Sequence, residues 1–242
     1  MRGCLFTLLL GAALLGLGVF VGLPAVAAGM LTAALTAAGF QATDTTVTVT
    51  SDPPTDLIGL HADRVRVRAT HATFRGLEMG SVDVTFRDVA ILGRTAGSVD
   101  GSLKDVTMPD VGGHALHLAG LTLAGGGDAV TVSTTVSGPE AQALVSDAIG
   151  AQLGTRPTAV TFTAPDGVAV RMGGVVHARL AVSSGGDLVA RISDGPEAGR
   201  AVVLLRSGAD LPIRLTSVRV ASDGSVSLAG ALAVELLSLP GG

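Results

Sequence analysis

Arg64, Arg66 and Arg68 alternate with Val65, Val67 and Ala69. In an extended chain this spacing sends three permanent cations to one face and three apolar side chains to the other. The chemistry open to such a row is anion binding. Beside a membrane, each guanidinium contributes about 1 kcal/mol toward an anionic lipid headgroup. Arg75 and Arg87 fall on neighbouring strand segments and extend the basic stripe. The same positions also read as a solvated sheet face balanced by Asp63, Glu78, Asp83 and Asp88.

Residues in catalytic arrangement are absent from the sequence. It holds no Gly-x-Ser-x-Gly elbow, no His-Glu-x-x-His, no Gly-x-x-x-x-Gly-Lys and only one cysteine, Cys4. His114 and His117 are three apart, which on a strand places them on opposite faces and argues against a shared metal. Asp63, Asp83, Asp100 and Asp223 fall mostly at strand ends and turns, where carboxylates satisfy backbone N–H groups. The expectation is a protein that is not an enzyme and uses no cofactor or metal. A hydrolase acting on lipids would require a Ser or Thr within hydrogen-bond reach of a histidine.

The elements that carry these residues are mainly strands. Thr46 to Thr50, Arg64 to Ala69, Val82 to Arg87 and Val176 to Val182 alternate with period two, as do Leu116 with Leu118 and Val130 with Val132. The last run places Val226, Leu228, Gly230, Leu232, Val234 and Leu236 on one side, a strand of about eleven residues against a usual five or six. That length predicts a long, curved sheet, with Gly120 and Gly230 at bends or close approaches. Gly125 to Asp128 reads as a hairpin loop, since no helix opens after it to make a phosphate cradle.

Two helices interrupt the strands. Ser137, Pro139 and Glu140 predict a capped helix start and Gly154 its end, with Ala141, Leu144, Val145, Ala148, Ile149 and Leu153 on one face. The other helix, roughly Met30 to Ala38, is apolar on nearly every side and closes at Gly39. It is either an extension of an anchor or a helix buried within the sheet. Each helix leads into a Thr- and Val-rich strand, which suggests two related halves, 29–136 and 137–242.

The N-terminal sequence sets the compartment. Leu5 to Leu23 is apolar with a single Thr, and at about 1.5 Å per residue it just spans a hydrocarbon core of roughly 30 Å. Arg2 precedes it and Arg64 is the next basic residue, so the N-terminus faces the cytoplasm and the rest is exported. Residues 1–28 are therefore either an uncleaved membrane anchor or a signal segment cleaved near Ala25–Ala28, and residues 29–242 form the exported domain. The net charge of −4 argues against nucleic acid, and the lack of Trp and Tyr removes the usual stacking platforms for bases and sugars.

One family resemblance covers most of residues 30–237. It rests on Pro54 to Leu60 running into Asp63 to Ala69, on Phe74 to Met79 before Val82 to Val84, on Leu211 to Val220 and on Asp223 to Gly230. These segments, with the N-terminal span, resemble the LmeA-like phospholipid-binding proteins of actinobacterial and related cell envelopes. The uncharged helix after the anchor departs from that pattern. The resemblance implies a non-catalytic envelope protein, anchored or exported, that binds phospholipid and supports lipid transfer or glycolipid maintenance. The implied fold is α+β and predominantly antiparallel, with long curved sheets wrapped around one or two helices in the manner of tubular lipid-binding domains.

Candidate acyl-chain contacts are the inward positions Val65, Val67, Val84, Phe86, Val176, Leu180, Val226, Leu228 and Leu232, for each of which ordinary core packing is the stronger reading. Arg64, Arg66 and Arg68 are the candidate headgroup contacts. Phospholipid and membrane are the expected partners, with no protein partner identified. The competing reading is an anchored, β-rich interaction module with a fully packed core. A lipid carrier needs an apolar cavity of about several hundred Å³, whereas a packed module leaves none.

Overall fold

The computed structural model describes residues 23–74, 76–91, 95–111, 114–126, 129–207 and 213–232. Helix α1 is Leu23–Ala37 and helix α2 is Gly138–Leu153, with a short 3-10 helix at Pro54–Gly59. The first run of strands is β1 Phe40–Gln41, β2 Asp44–Thr50, β3 His61–Phe74, β4 Leu77–Ala90, β5 Thr95–Val111, β6 His114–Gly126 and β7 Ala129–Val136. After α2 come β8 Ala159–Thr163, β9 Gly167–Arg171, β10 Val175–Val182, β11 Leu188–Ile192 and β12 Ala201–Leu205, then β13 Ile213–Val220 and β14 Val226–Leu232.

The strands form two antiparallel sheets. One has nine strands, β3 to β7 in sequence order followed by β14 and β13, with β1 and β2 both pairing with β3. The other has five, in the order β12-β11-β10-β9-β8. Because β13 and β14 return to the first sheet, the sheets do not divide at residue 137. The last strand reaches Leu232 among the described residues, and the expected positions Val234 and Leu236 lie outside them.

Helix α2 forms as its sequence dictates. Ser137 holds extended backbone and its Oγ accepts the Glu140 N–H at 3.4 Å, Pro139 occupies the first turn, and Gly154 closes the helix at φ +72°. Ala141, Leu144, Val145, Ala148 and Ile149 are buried. The helix packs on β6 of the large sheet and on β8 and β12, the two edge strands of the small one. A sheet whose two edges meet one helix must curl around it. The free edge of β12 is closed by Gln152, whose Nε2 donates to the Val203 carbonyl at 2.6 Å while its Oε1 accepts the Val203 N–H at 3.1 Å. The turns of the small sheet also bind β13, through Val220 N–H to Pro165 O at 2.7 Å and Leu215 N–H to Gly186 O at 3.2 Å.

Strands β3 to β6 are 14, 14, 17 and 13 residues long, well beyond the usual five or six. They stay paired over this length although their alternation slips. In β3 the buried positions are Ala62, then Val65, Val67 and Ala69, then Ala72, with two steps of three instead of two. Met79 and Val82 repeat the step in β4, and Leu118 and Leu121 in β6. Three slips contain a residue of left-handed backbone: Ala69 to Ala72 holds His71 at φ 46°, Phe86 to Val89 holds Asp88 at φ 51°, and Leu103 to Val106 holds Asp105 at φ 50°. Asp and His are among the non-glycine residues that best tolerate this region. The register places His71, Gly80 and Asp105 in one row and Asp88 with Gly97 in another, so the sheet is creased along two lines.

Among the described residues helix α1 already runs at Leu23 and so includes the expected stretch from Met30. It closes at Gly39, φ +92°. Ala27 is buried, and Leu23, Ala28, Leu31 and Leu35 pack on Val47, Val49, Leu57, Ala62, Val65 and Val67. The helix therefore lies against the β2–β3 end of the large sheet with one side covered. The expected membrane span from Leu5 lies outside the described residues except for Leu23. No described helix is long and apolar enough to cross a membrane.

Candidate functional site

Antiparallel residues directly opposite one another share a sheet face, so the register maps the inner surface of the large sheet. One row runs Val65, Phe86, Val99, Gly125, and the next runs Val67, Val84, Gly101, Leu123. A third runs Ala69, Val82, Leu103, Leu121. At the β3 end, Val65 and Val67 are covered by α1, while Leu121 belongs to the core around α2. Between them Phe86, Val99, Leu103 and Leu123 are only half-buried, and Phe86 packs against both apolar clusters.

Two glycines lower the middle of this surface. A Cβ on Gly101 would fall 2.7 Å from the Asp83 carbonyl oxygen and 2.8 Å from Val84 Cα. A Cβ on Gly125 would fall 2.2 Å from the Ala129 carbonyl oxygen. Neither position accepts a side chain without moving backbone, so the depression is built into the strands. The result is an apolar, partly open strip across β4, β5 and β6, bordered by a helix-covered cluster on each side.

The predicted inward residues separate into groups. Val65 and Val67 pack beneath α1, and Val84 is buried beside the strip that Phe86 joins. Leu180, Val226 and Leu228 are buried around α2, with Val176 and Leu232 half-buried at that core's margin. The spaces next to Leu180, Val226 and Leu228 measure about 20 and 10 Å³. Each has room for about one water and none for an acyl chain. These three residues lie in the packed core, the alternative that their sequence pattern also offered. Val99, Leu103 and Leu123 join the candidate site instead. Their own period-two spacing, with Asp100 and Ser102 between Val99 and Leu103 and with Thr122 and Ala124 flanking Leu123, carries the signal that reveals them.

Gly230 has the close approach expected of it, since a Cβ there would lie 2.5 Å from the Arg214 carbonyl oxygen, opposite a bulge between Leu215 and Ser217. Gly120 does not, its nearest such contact being an ordinary 3.5 Å. Its carbonyl instead accepts the Thr134 hydroxyl at 2.6 Å.

The arginines lie on the other face of the same sheet. Arg66 is held by Asp83 in a two-pronged pair, Nε to Oδ1 at 2.8 Å and a terminal nitrogen to Oδ2 at 2.7 Å, and Arg68 Nε lies 3.5 Å from Oδ2. This hydrogen bond from Arg66 holds the Asp83 carboxyl below the usual carboxylate range and raises the Arg66 guanidinium. Arg64 is directly opposite Arg87 with both exposed, a like-charge juxtaposition. Beside Arg68, a polar groove of about 340 Å³ is lined by Thr46, Thr70, Ser81, Asp83 and Lys104. The structure does not bring Arg64, Arg66 and Arg68 together with the inward candidates, because alternation puts the two sets on opposite sides of the sheet.

Thr107 and His117 are cross-strand partners on this outer face, Oγ1 to Nδ1 3.0 Å. That meets the distance condition for a hydroxyl beside a base, but among the described residues no carboxylate is hydrogen-bonded to His117 to orient it. The side chain of His114 lies outside the described residues. A second polar pair went unnoticed in the sequence: Asp194 accepts both the His177 N–H and Nδ1 at 2.6 Å. The side-chain hydrogen bond holds Asp194 below the usual carboxylate range. The pair ties β10 to the turn after β11.

Comparison of the chain with family models, with characterised proteins and with solved structures found no match.

Proposed function

We propose that this is a non-catalytic phospholipid-binding protein of the cell envelope that holds acyl chains along the inner strip of the large sheet. The supporting observation is the half-buried row Phe86, Val99, Leu103 and Leu123, apolar and flanked by two helices. A curved sheet leaves such side chains half-covered where something elongated and apolar lies on them. The resemblance to LmeA-like proteins agrees with this reading, as does the apolar sequence from Leu5 to Leu23, which would anchor or export the domain. Lipid transfer or envelope glycolipid maintenance is the role that follows.

Native mass spectrometry on the full chain, extracted in mild detergent and exchanged into a lipid-free one, tests the proposal. Stoichiometric phospholipid on the wild type and its loss from a folded Leu123→Asp variant are the expected results. A folded wild-type chain that carries no lipid and takes none from vesicles overturns it. In that event the interaction module is the better reading, favoured by the tight packing around α2, where the cavities are about 20 and 10 Å³.

A further inference from the structure

Helix α1 has no charged residue, and no charge occurs anywhere from Gly3 to Thr43. A helix apolar all round is stable where it meets apolar surroundings on every side. The sheet covers one side of α1, through Ala27, Leu31 and Leu35. The opposite side carries Val26 and Met30, which are 57% and 62% exposed. The 3-10 helix Pro54–Gly59 packs beside α1 and buries Leu57 in the same cluster, while its next residue, Ile58, is 67% exposed. Among the described residues one other large apolar side chain is exposed, Val175 at 52% on the small sheet. Exposed apolar surface is thus concentrated on α1 and the turn beside it.

What covers this surface is indicated by the chain that enters it. The sequence Leu5 to Leu23 is long enough to cross a bilayer and is continuous with the apolar sequence of α1. We propose that the outer side of α1 and Ile58 form a membrane-docking surface, with Val26, Met30 and Ile58 in the boundary between headgroups and acyl chains. The occupant is the bilayer itself. The site is separate from the inner strip of the sheet and stands whether or not that strip holds lipid.

The chain has no Trp or Tyr, so a single introduced tryptophan reports its own surroundings without background. Full-chain Met30→Trp, Ile58→Trp and Val175→Trp variants, each checked for the wild-type circular dichroism spectrum, are reconstituted into phosphatidylcholine–phosphatidylglycerol vesicles with brominated acyl chains. An interfacial segment sits about 5–10 Å into the boundary, so quenching at Met30→Trp and Ile58→Trp should exceed that at Val175→Trp by about twofold or more. The Ile58→Trp reporter separates docking from mere continuation of an anchor, since it lies on a different element. Adding Met30→Glu to Ile58→Trp should abolish the excess quenching. Equal quenching of Ile58→Trp and Val175→Trp overturns the proposal. So does a blue-shifted but unquenched Met30→Trp, which would mean that a second copy or the chain's own N-terminal segment covers the helix.

Discussion

Asp88 holds a left-handed backbone directly across from Gly97, where an added Cβ would lie 2.9 Å from the Asp88 Cβ. The crease in the sheet depends on both halves of this relationship. The left-handed residue resets the alternation, and the glycine leaves room for its side chain. Gly97→Ala should therefore cost about 1–3 kcal/mol of stability, the range for overpacking, read as a lower denaturant midpoint with an unchanged slope. Asp88→Gly relieves a left-handed cost of about 1–2 kcal/mol and removes the opposing Cβ, so the double variant should recover most of the loss.

The Arg66–Asp83 pair gives a signed pH dependence. The folded-state pKa of Asp83 is lowered by the hydrogen bond from Arg66, so its contribution is present above the ordinary carboxylate pKa. It is lost as pH falls through the lower folded value. Asp83→Asn should thus melt below the wild type at neutral pH, with the difference in Tm closing under acid conditions. A difference that is constant with pH would mean that the carboxylate charge is not what stabilises the pair.

Core and strip residues should separate when truncated. Leu144→Ala, in the closed core around α2, should cost about 2–5 kcal/mol, since little can collapse into the space left behind. Leu123→Ala, half-buried on the strip, should cost less in chemical denaturation and more in bound phospholipid by mass spectrometry. The reverse ranking would place the binding surface elsewhere.

Gln152 supplies the pairing that a further strand would give β12. Gln152→Ala removes two exposed hydrogen bonds and should cost about 1 kcal/mol in thermal or chemical unfolding. Amide exchange at Val203 should quicken in the variant, because its N–H loses its acceptor.

The sequence made the local pieces readable where one signal acted alone. Ser137, Pro139 and Gly154 delimit α2 because capping is decided within a few residues. Arg64 to Ala69 declares a strand for the same reason. It does not declare that β3 continues to Phe74, since the alternation breaks at His71 and the continuation rests on pairing of Ala72, Thr73 and Phe74 with Met79, Glu78 and Leu77 on the next strand. The return of β13 and β14 to β7 was also hidden, because antiparallel partners are chosen by distant surfaces and not by local pattern. In the candidate site, Val84 and Phe86 were legible from period two. The exposure that distinguishes Phe86, Val99, Leu103 and Leu123 from Leu180 and Leu228 depends on where the helices come to lie.

Val136 and Val226 are partners across β7 and β14. Between them lie α2, the whole small sheet and β13, which pairs with β14 on the side away from β7. Pairing so distant in sequence is slow to form, because loop closure is paid before the contacts reward it. Folding of the intervening unit shortens the effective loop, so the small sheet wrapped on α2 acts as the splint that brings the last two strands home.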